Sequence, residues 1–369
     1  MNGSFPLAKV KGIKIQAHVT FVLILVWAAW EWGMARGLGL TGALYGVVFT
    51  ILLFLCVTLH ELAHSLVALH YGMQVRDITL LPIGGLARLE GELTHPAQEF
   101  WMAIAGPAVN LVIAAVLGAV IAPLLGWRVL TDLSWSLNET GLEMLLIRLV
   151  TTNIGLAIFN LLPAFPMDGG RVLRALLAWR MDELTATRIA ARIGQGLAVI
   201  LGLLGILTSR LDLLLIAMFI YTGARMEWRG KQLRMAMQQV PASAALVRGV
   251  VLSPYDLLGR AIDVTLRSGQ ADFAAFDQGY LVGVLTREDA AEGFQRYGAN
   301  VPIQRVMRTG FPVAQIGETL LDLQRKMETS GSSVISVNEG SHFLGLATLE
   351  SVRNALRLFL QWGPKNNTV

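Results

Sequence analysis

The chain has 369 residues, which at roughly 150 residues per domain suggests two or three units. Hydrophobic residues make up 54% and charged residues 15%, against roughly 25% charged in a soluble domain; this excludes a single water-soluble globule and a disordered chain. Lys plus Arg is 30 against 26 Asp plus Glu, a net charge of +4 that is too small to argue for nucleic acid. A lone cysteine, Cys56, excludes an intrachain disulfide.

The apolar residues are clustered. Phe100 to Trp127 and Leu149 to Met167 carry no charge, and Gly42 to Thr58 runs uncharged into a His-Glu pair. A membrane span needs about 20 residues at 1.5 Å each. On that measure six helices are predicted, at about 18–34, 41–71, 98–125, 144–162 with an irregular continuation to about 180, 189–208 and 211–228. No small-residue cleavage site follows Trp30, so a cleaved leader is not expected. Basic residues give the orientation. Lys9, Lys11 and Lys14 precede the first helix, Arg76 and Arg88 lie between the second and third, five arginines from Arg171 to Arg192 lie between the fourth and fifth, and Arg225 to Arg234 follow the sixth. The other side has mainly Arg36, Arg128, Arg148 and Arg210. Positive-inside then predicts a multi-pass protein of the inner (cytoplasmic) cell membrane with both termini in the cytoplasm.

Inside the second predicted span lies His60-Glu61-Leu62-Ala63-His64. Four residues apart on a helix, His60 and His64 share one face, so both imidazoles can reach one zinc ion at about 2.0 Å. Glu61 is set about 100° round the helix and can take the proton of a water that the metal activates. Ionisable side chains within a span are costly and mark function. Zinc needs a third protein ligand and an open position, and the candidate is Asp168 in Asn160-Leu-Leu-Pro-Ala-Phe-Pro-Met-Asp168-Gly-Gly. Pro163 and Pro166 break the helical ladder, so the fourth segment is discontinuous there and a carboxylate in the break can turn to the metal. Irregular backbone at membrane depth survives only against protein or water. The other histidines are assigned bland roles: His18 at the entrance of the first helix, His70 near the cytoplasmic end of the second, and His95 in a loop or cap. Cys56 reads as a small buried hydrophobe.

These motifs resemble the site-2 proteases, zinc metalloproteases that cut within membranes, in the bacterial and archaeal branch with C-terminal cystathionine-β-synthase (CBS) domains. Leu59 to Ser65 matches the first zinc motif and Asn160 to Gly169 the second. The resemblance implies His60, His64 and Asp168 as ligands of one zinc per chain, Glu61 as catalytic base, and Asn160 as a polar group near the substrate or oxyanion. Ala105-Gly106-Pro107-Ala108-Val109-Asn110 matches a helix-three signature packed near the core, which marks Asn110 as a substrate-side candidate. Residues 74–89 read as strand–turn–strand around Pro82 and the pair Gly84-Gly85. The family places such a pair partly in the membrane beside the active site, where an extended substrate adds to a free edge; Gly84 and Gly85 are the candidate contacts there. Such an edge matters because a helical substrate hides its scissile carbonyl in its own ladder and must unwind.

Past residue 228 the long uncharged runs stop. The predicted organisation is a protease domain over 1–228, a basic, Met-rich linker over 229–242, and a soluble α/β region over 243–369. That region holds an imperfect repeat, with a first copy over 243–300, matching mainly at its end, and a second over 301–360. The repeats resemble CBS motifs. The resemblance implies that Thr286 and Asp289 hold the ribose of ATP or another adenine nucleotide, while Ser351 replaces the acid in the second copy; dimerisation or substrate docking through this region are the competing roles.

The expected fold is therefore a polytopic all-α membrane domain with a short membrane-associated β segment, followed by a tandem CBS-like α/β domain. The expected function is zinc-dependent hydrolysis of peptide bonds within or near the transmembrane segment of a single-span substrate in the lipid bilayer, with a homodimer through the CBS region and no nucleic acid partner. Two rivals are a catalytically idle membrane scaffold, disfavoured because the ligands and Glu61 are all present, and an ion transporter, which has no need of a Glu beside the first His.

Overall fold

The computed structural model describes residues 3–82, 84–91, 95–125 and 140–362. Arg128, one of the basic residues assigned to the outer side, lies outside the described residues. The chain forms two compact units that meet between Arg229 and Gly230.

The first unit opens with a hairpin, β1 (Ser4–Val10) and β2 (Ile13–His18). Lys11 and Gly12 adopt φ of 46° and 90°, the positive values that a two-residue hairpin turn with the strands' own twist requires. In β2, Ile13, Ile15 and Ala17 are buried while Lys14 and Gln16 alternate with them. The expected strand pair follows as β3 (Gln74–Leu81) and β4 (Gly84–Glu90). The four strands form one sheet in the order β1-β2-β3-β4, with β2 parallel to β3 and the other pairs antiparallel. The sheet is thus twice the size that the sequence suggested. The lysines of its first hairpin double as orientation signals.

Seven helices of this unit are described. They are α1 (Phe21–Trp30), which continues as a π-helical turn over Glu31–Ala35, α2 (Gly39–His70), α3 (Pro96–Leu125), α4 (Leu142–Asn160), α5 (Asp168–Ala178), α6 (Glu183–Leu207) and α7 (Leu211–Gln239). In α2 every fourth residue from Gly42 to Thr58 is buried, the stripe that a 3.6-residue period turns inward. Leu44, Val48, Ile51 and Leu55 face outward, as lipid allows and water does not. Thr50 and Thr58 donate to the Gly46 and Phe54 carbonyls at 2.8 and 2.7 Å, so their hydroxyls cost nothing there. Among the described helices α2, α3, α4 and α6 are long and apolar enough to cross a membrane. The apolar helix over Phe21–Ala35 is shorter, and α7 has an apolar first half and a charged second half.

The fourth predicted segment is split. Helix α4 stops at Asn160 and α5 starts at Asp168. Between them Ala164, Phe165 and Met167 are buried, packed on Ala190, Ala191 and Ala198 of α6 and Ile220 and Ala224 of α7. The break is a packed plug that presents Asp168.

The second unit repeats one motif. Its first half runs from Leu252 through α8 (Leu258–Ser268), β5 (Phe273–Asp277), β6 (Tyr280–Leu285) and α9 (Arg287–Tyr297). The second half runs through β7 (Val313–Gln315), α10 (Leu320–Ser330), β8 (Val334–Glu339), β9 (His342–Thr348) and α11 (Leu349–Trp362). Leu252 bridges parallel to β5 as β7 pairs parallel to β8, so the first copy is complete and not truncated. The leading segments are exchanged. Val301 and Ile303 are buried in the core of the first half with Leu258 and Phe273, whereas Ala242 and Ala245 are buried in the core of the second half with Leu320 and Ile335. Two of the expected boundaries therefore shift. Residues 301–308 pack with the first copy, and the stretch expected as a linker carries Met237, Val240 and Ala242 into a core. Proximity in sequence suggested otherwise because a swapped segment has no local signature.

Candidate metal centre

The three expected ligands come together. The Nε2 atoms of His60 and His64 are 3.1 Å apart, and Asp168 Oδ2 lies 3.2 Å from each. Ligands of a tetrahedral zinc at about 2.0–2.2 Å lie about 3.3–3.6 Å from one another, so the triangle comes within a few tenths of an ångström of the size the ion requires. All three side chains are at most 16% exposed.

The surroundings favour a cation. His64 Nδ1 donates to the Met102 carbonyl at 2.6 Å, which leaves the Nε2 lone pair aimed at His60 and Asp168. His60 Nδ1 and Asp168 Oδ2 are buried without a hydrogen-bond partner. Lone pairs gathered in a dry place repel unless a positive charge sits among them. The gap is kept open by Gly106 of α3, where a Cβ would overlap His64 Nε2 and approach His60 Nε2 to 2.6 Å. No other cluster of His, Cys, Asp and Glu able to hold a metal occurs among the described residues. His18 instead bonds Thr20 Oγ1 at 2.8 Å, His70 meets Tyr71 edge-on at the exposed end of α2, His95 is exposed before α3, and Cys56 is a buried free thiol.

Glu61, next to the first histidine, lies against β4. A Cβ on Gly85 would come within 2.5 Å of Glu61 Cγ and 3.5 Å of its Oε1, so only glycine lets the strand approach the carboxylate this closely. β4 has a strand partner on one side, β3, and its other edge is unpaired among the described residues. Gly84 begins the strand at φ 136° with open space beside it. Asn110 stands four residues past Gly106 on the same face of α3, 1% exposed and with Oδ1 unpartnered. Asn160 is half-buried at the end of α4. The Met102 carbonyl was not foreseeable, since every residue type has one. Gly106 lay within the helix-three signature, but its role needed the tertiary contact.

The nucleotide candidates Thr286 and Asp289 lie together. Thr286 and Asp289 form a capping box at the start of α9, with Thr286 Oγ1 donating to Asp289 Oδ2 at 2.6 Å. Arg308 pairs with Asp289 Oδ1 at 2.8–2.9 Å. The carboxylate is thus occupied by protein partners. A cleft of about 860 Å³ opens instead at the equivalent positions of the second half, Thr348 and Ser351, facing Gly249 and Asp272.

Comparison with known proteins agrees with this centre. Residues 48–201, which hold both histidines and Asp168, match peptidase family M50. A zinc metalloprotease of Methanocaldococcus jannaschii is 36% identical over 292 residues, covering 77% of this chain and 78% of the relative. The solved structure of a site-2 protease from Methanocaldococcus jannaschii is 40% identical and covers 61% of this chain and 95% of that one, with a TM-score of 0.44. The CBS domain of a membrane protein from Sphaerobacter thermophilus is similar to 36% of this chain over 96% of its own length, at 18% identity and a TM-score of 0.30. With a relative of this identity matched over more than three quarters of both chains, the chain belongs to peptidase family M50, the site-2 protease family of membrane zinc metalloproteases.

Proposed function

We propose that this protein hydrolyses peptide bonds within or near the transmembrane segments of single-span membrane proteins, as a step of regulated intramembrane proteolysis. The observation that carries the proposal is the contact of Glu61 with the edge strand β4, one residue from the ligand triangle of His60, His64 and Asp168. Those three residues would hold the zinc. When bound, zinc supplies the positive charge that acidifies a water and polarises the scissile carbonyl. The chain does the rest. A substrate unwound to an extended strand pairs with the open edge of β4 near Gly84 and Gly85 and recovers its backbone hydrogen bonds. Glu61 takes the proton of the attacking water on its carboxylate and passes it to the leaving amine. Asn160 donates from Nδ2 to the carbonyl oxygen as it gains charge, and Asn110 lines the substrate side.

The wider assignment includes six spans, with the helix at Phe21–Ala35 and the apolar half of α7 as the first and last, in an inner membrane with both termini cytoplasmic. The second unit is assigned as a tandem CBS pair that supports a homodimer. Its two matched halves with exchanged leading segments support that reading. Any adenine nucleotide is assigned to the Thr348–Ser351 cleft, because Asp289 is already paired.

The test is cleavage of a single-span substrate by detergent-purified protein, wild type beside Glu61→Gln, with zinc measured in both. Cleavage by the wild type alone at equal zinc is expected. A cleaving Glu61→Gln protein overturns the role of Glu61, and a wild type without zinc overturns the ligand set.

A further inference from the structure

Three helices meet at a buried ionic cluster that the chemistry above does not use. Arg174 of α5 donates from Nε to Glu99 Oε1 of α3 at 2.8 Å, with a second, shorter contact from Nη2 to the same oxygen, and from Nη1 to Glu227 Oε1 of α7 at 2.7 Å. Its side chain is 13% exposed and that of Glu99 11%. The guanidinium also lies 5.2 Å from the ring of Phe165, three residues before Asp168. Glu227, 36% exposed, lies at the rim of the cluster, so Arg174 and Glu99 are its buried pair; burying such a pair is a poor way to add stability, because desolvation offsets the attraction. What such a cluster can provide is a fixed geometry, since a planar fork bonded to two carboxylates admits few arrangements.

The geometry it fixes is that of the metal centre. Glu99, Met102 and Gly106 recur at three- and four-residue steps on one side of α3. Each of them meets the centre's supports. Met102 accepts from His64, Gly106 abuts both Nε2 atoms, and Glu99 grips α5, whose first residue is Asp168. A single helix therefore sets the histidines of α2 and the aspartate of α5 at one mutual distance. On the far side α7 closes the arrangement, with Ala224 packed on Phe165 and Glu227 on Arg174.

We propose that Arg174 is a positioning residue for the metal centre: through Glu99 and Glu227 it holds α5 so that Asp168 stays in ligand range of His60 and His64. The proposal rests on the ligand assignment above. The experiment is cobalt substitution of the full-length protein in detergent, read by the visible absorption of the Co(II) ion and by chelator competition, for wild type, Arg174→Gln, Arg174→Lys and Glu99→Gln. A displaced carboxylate ligand alters the Co(II) bands and weakens metal binding by roughly 10- to 100-fold, the range for outer partners of metal ligands. Arg174→Gln and Glu99→Gln should show that change while their thermal midpoints show a folded protein, and Arg174→Lys should restore part of it. A folded Arg174→Gln protein with wild-type bands and affinity overturns the proposal. If Arg174→Gln does not fold, the double variant Glu99→Gln/Arg174→Met, which removes the buried charge with its partner, answers the same question by the same bands. A wild type that takes up no Co(II) fails at an earlier point, because it removes the ligand set itself.

Discussion

Two aspartates in the first turn of a helix have opposite fates in this protein. Asp289 of α9 turns back on its own helix, accepts from Thr286 and is neutralised by Arg308. Asp168 of α5 turns away from its helix toward two imidazoles, and one of its oxygens is buried without a hydrogen-bond partner. The repeated unit uses the same closed device again at Thr319 and Asp322 of α10. A polar group that serves the fold is satisfied by its own neighbours. One that serves chemistry is held by packing and left open for a partner from outside the chain. The same contrast separates the residues around the two sites. Gly106 and Gly85 leave room beside the metal centre, whereas Arg308 fills the space beside Asp289.

Substitution of the open acid, Asp168, is the sharpest way to break this comparison. Asp168→Ala should abolish proteolysis and lower zinc affinity by orders of magnitude while the thermal transition of the second unit stays in place; unchanged zinc content in Asp168→Ala would end its ligand role. Gly106→Ala comes next. Its methyl group meets the two Nε2 atoms, so zinc content measured on the purified protein should fall severely, and retention of stoichiometric zinc would show that the α2–α3 spacing can relax. Gly85→Ala should separate base from ligands. It pushes on Glu61 and not on the histidines, so the expected result is full zinc occupancy with kcat reduced roughly 100-fold, the low end of the roughly 10²- to 10⁴-fold that general acid–base catalysis is worth. The smallest effect is expected at the closed device. Thr319→Ala removes a helix cap worth about 1 kcal/mol, so the second unit should unfold at a temperature a few degrees lower with zinc and cleavage unchanged.

The membrane unit was readable where its logic is local. His60 and His64 are four residues apart on a helix that hydropathy alone identifies, and the prolines at 163 and 166 mark the break before Asp168. The hairpin of β1 and β2 was not read, because the alternation of Ile13, Ile15 and Ala17 with Lys14 and Gln16 is short and its lysines also fit an orientation signal. Within the second unit the strand–Thr–helix steps at Thr286 and Thr348 exposed the repeat. The exchange of leading segments did not show, because Ile303 and Ala242 each pack on the half other than the one they lead into.

Composition, hydropathy and motif spacing therefore determined the membrane class, the candidate metal ligands and the presence of a repeated second region, since each depends on residue type and on distances along the chain. The tertiary structure decided what no spacing encodes. Met102 holds His64 across 38 residues with a backbone carbonyl, and Arg174 reaches Glu99 across 75. A carbonyl has no letter of its own, and an arginine reads the same whether it lies in solvent or beside a buried carboxylate. Which of these groups met was settled when the helices packed.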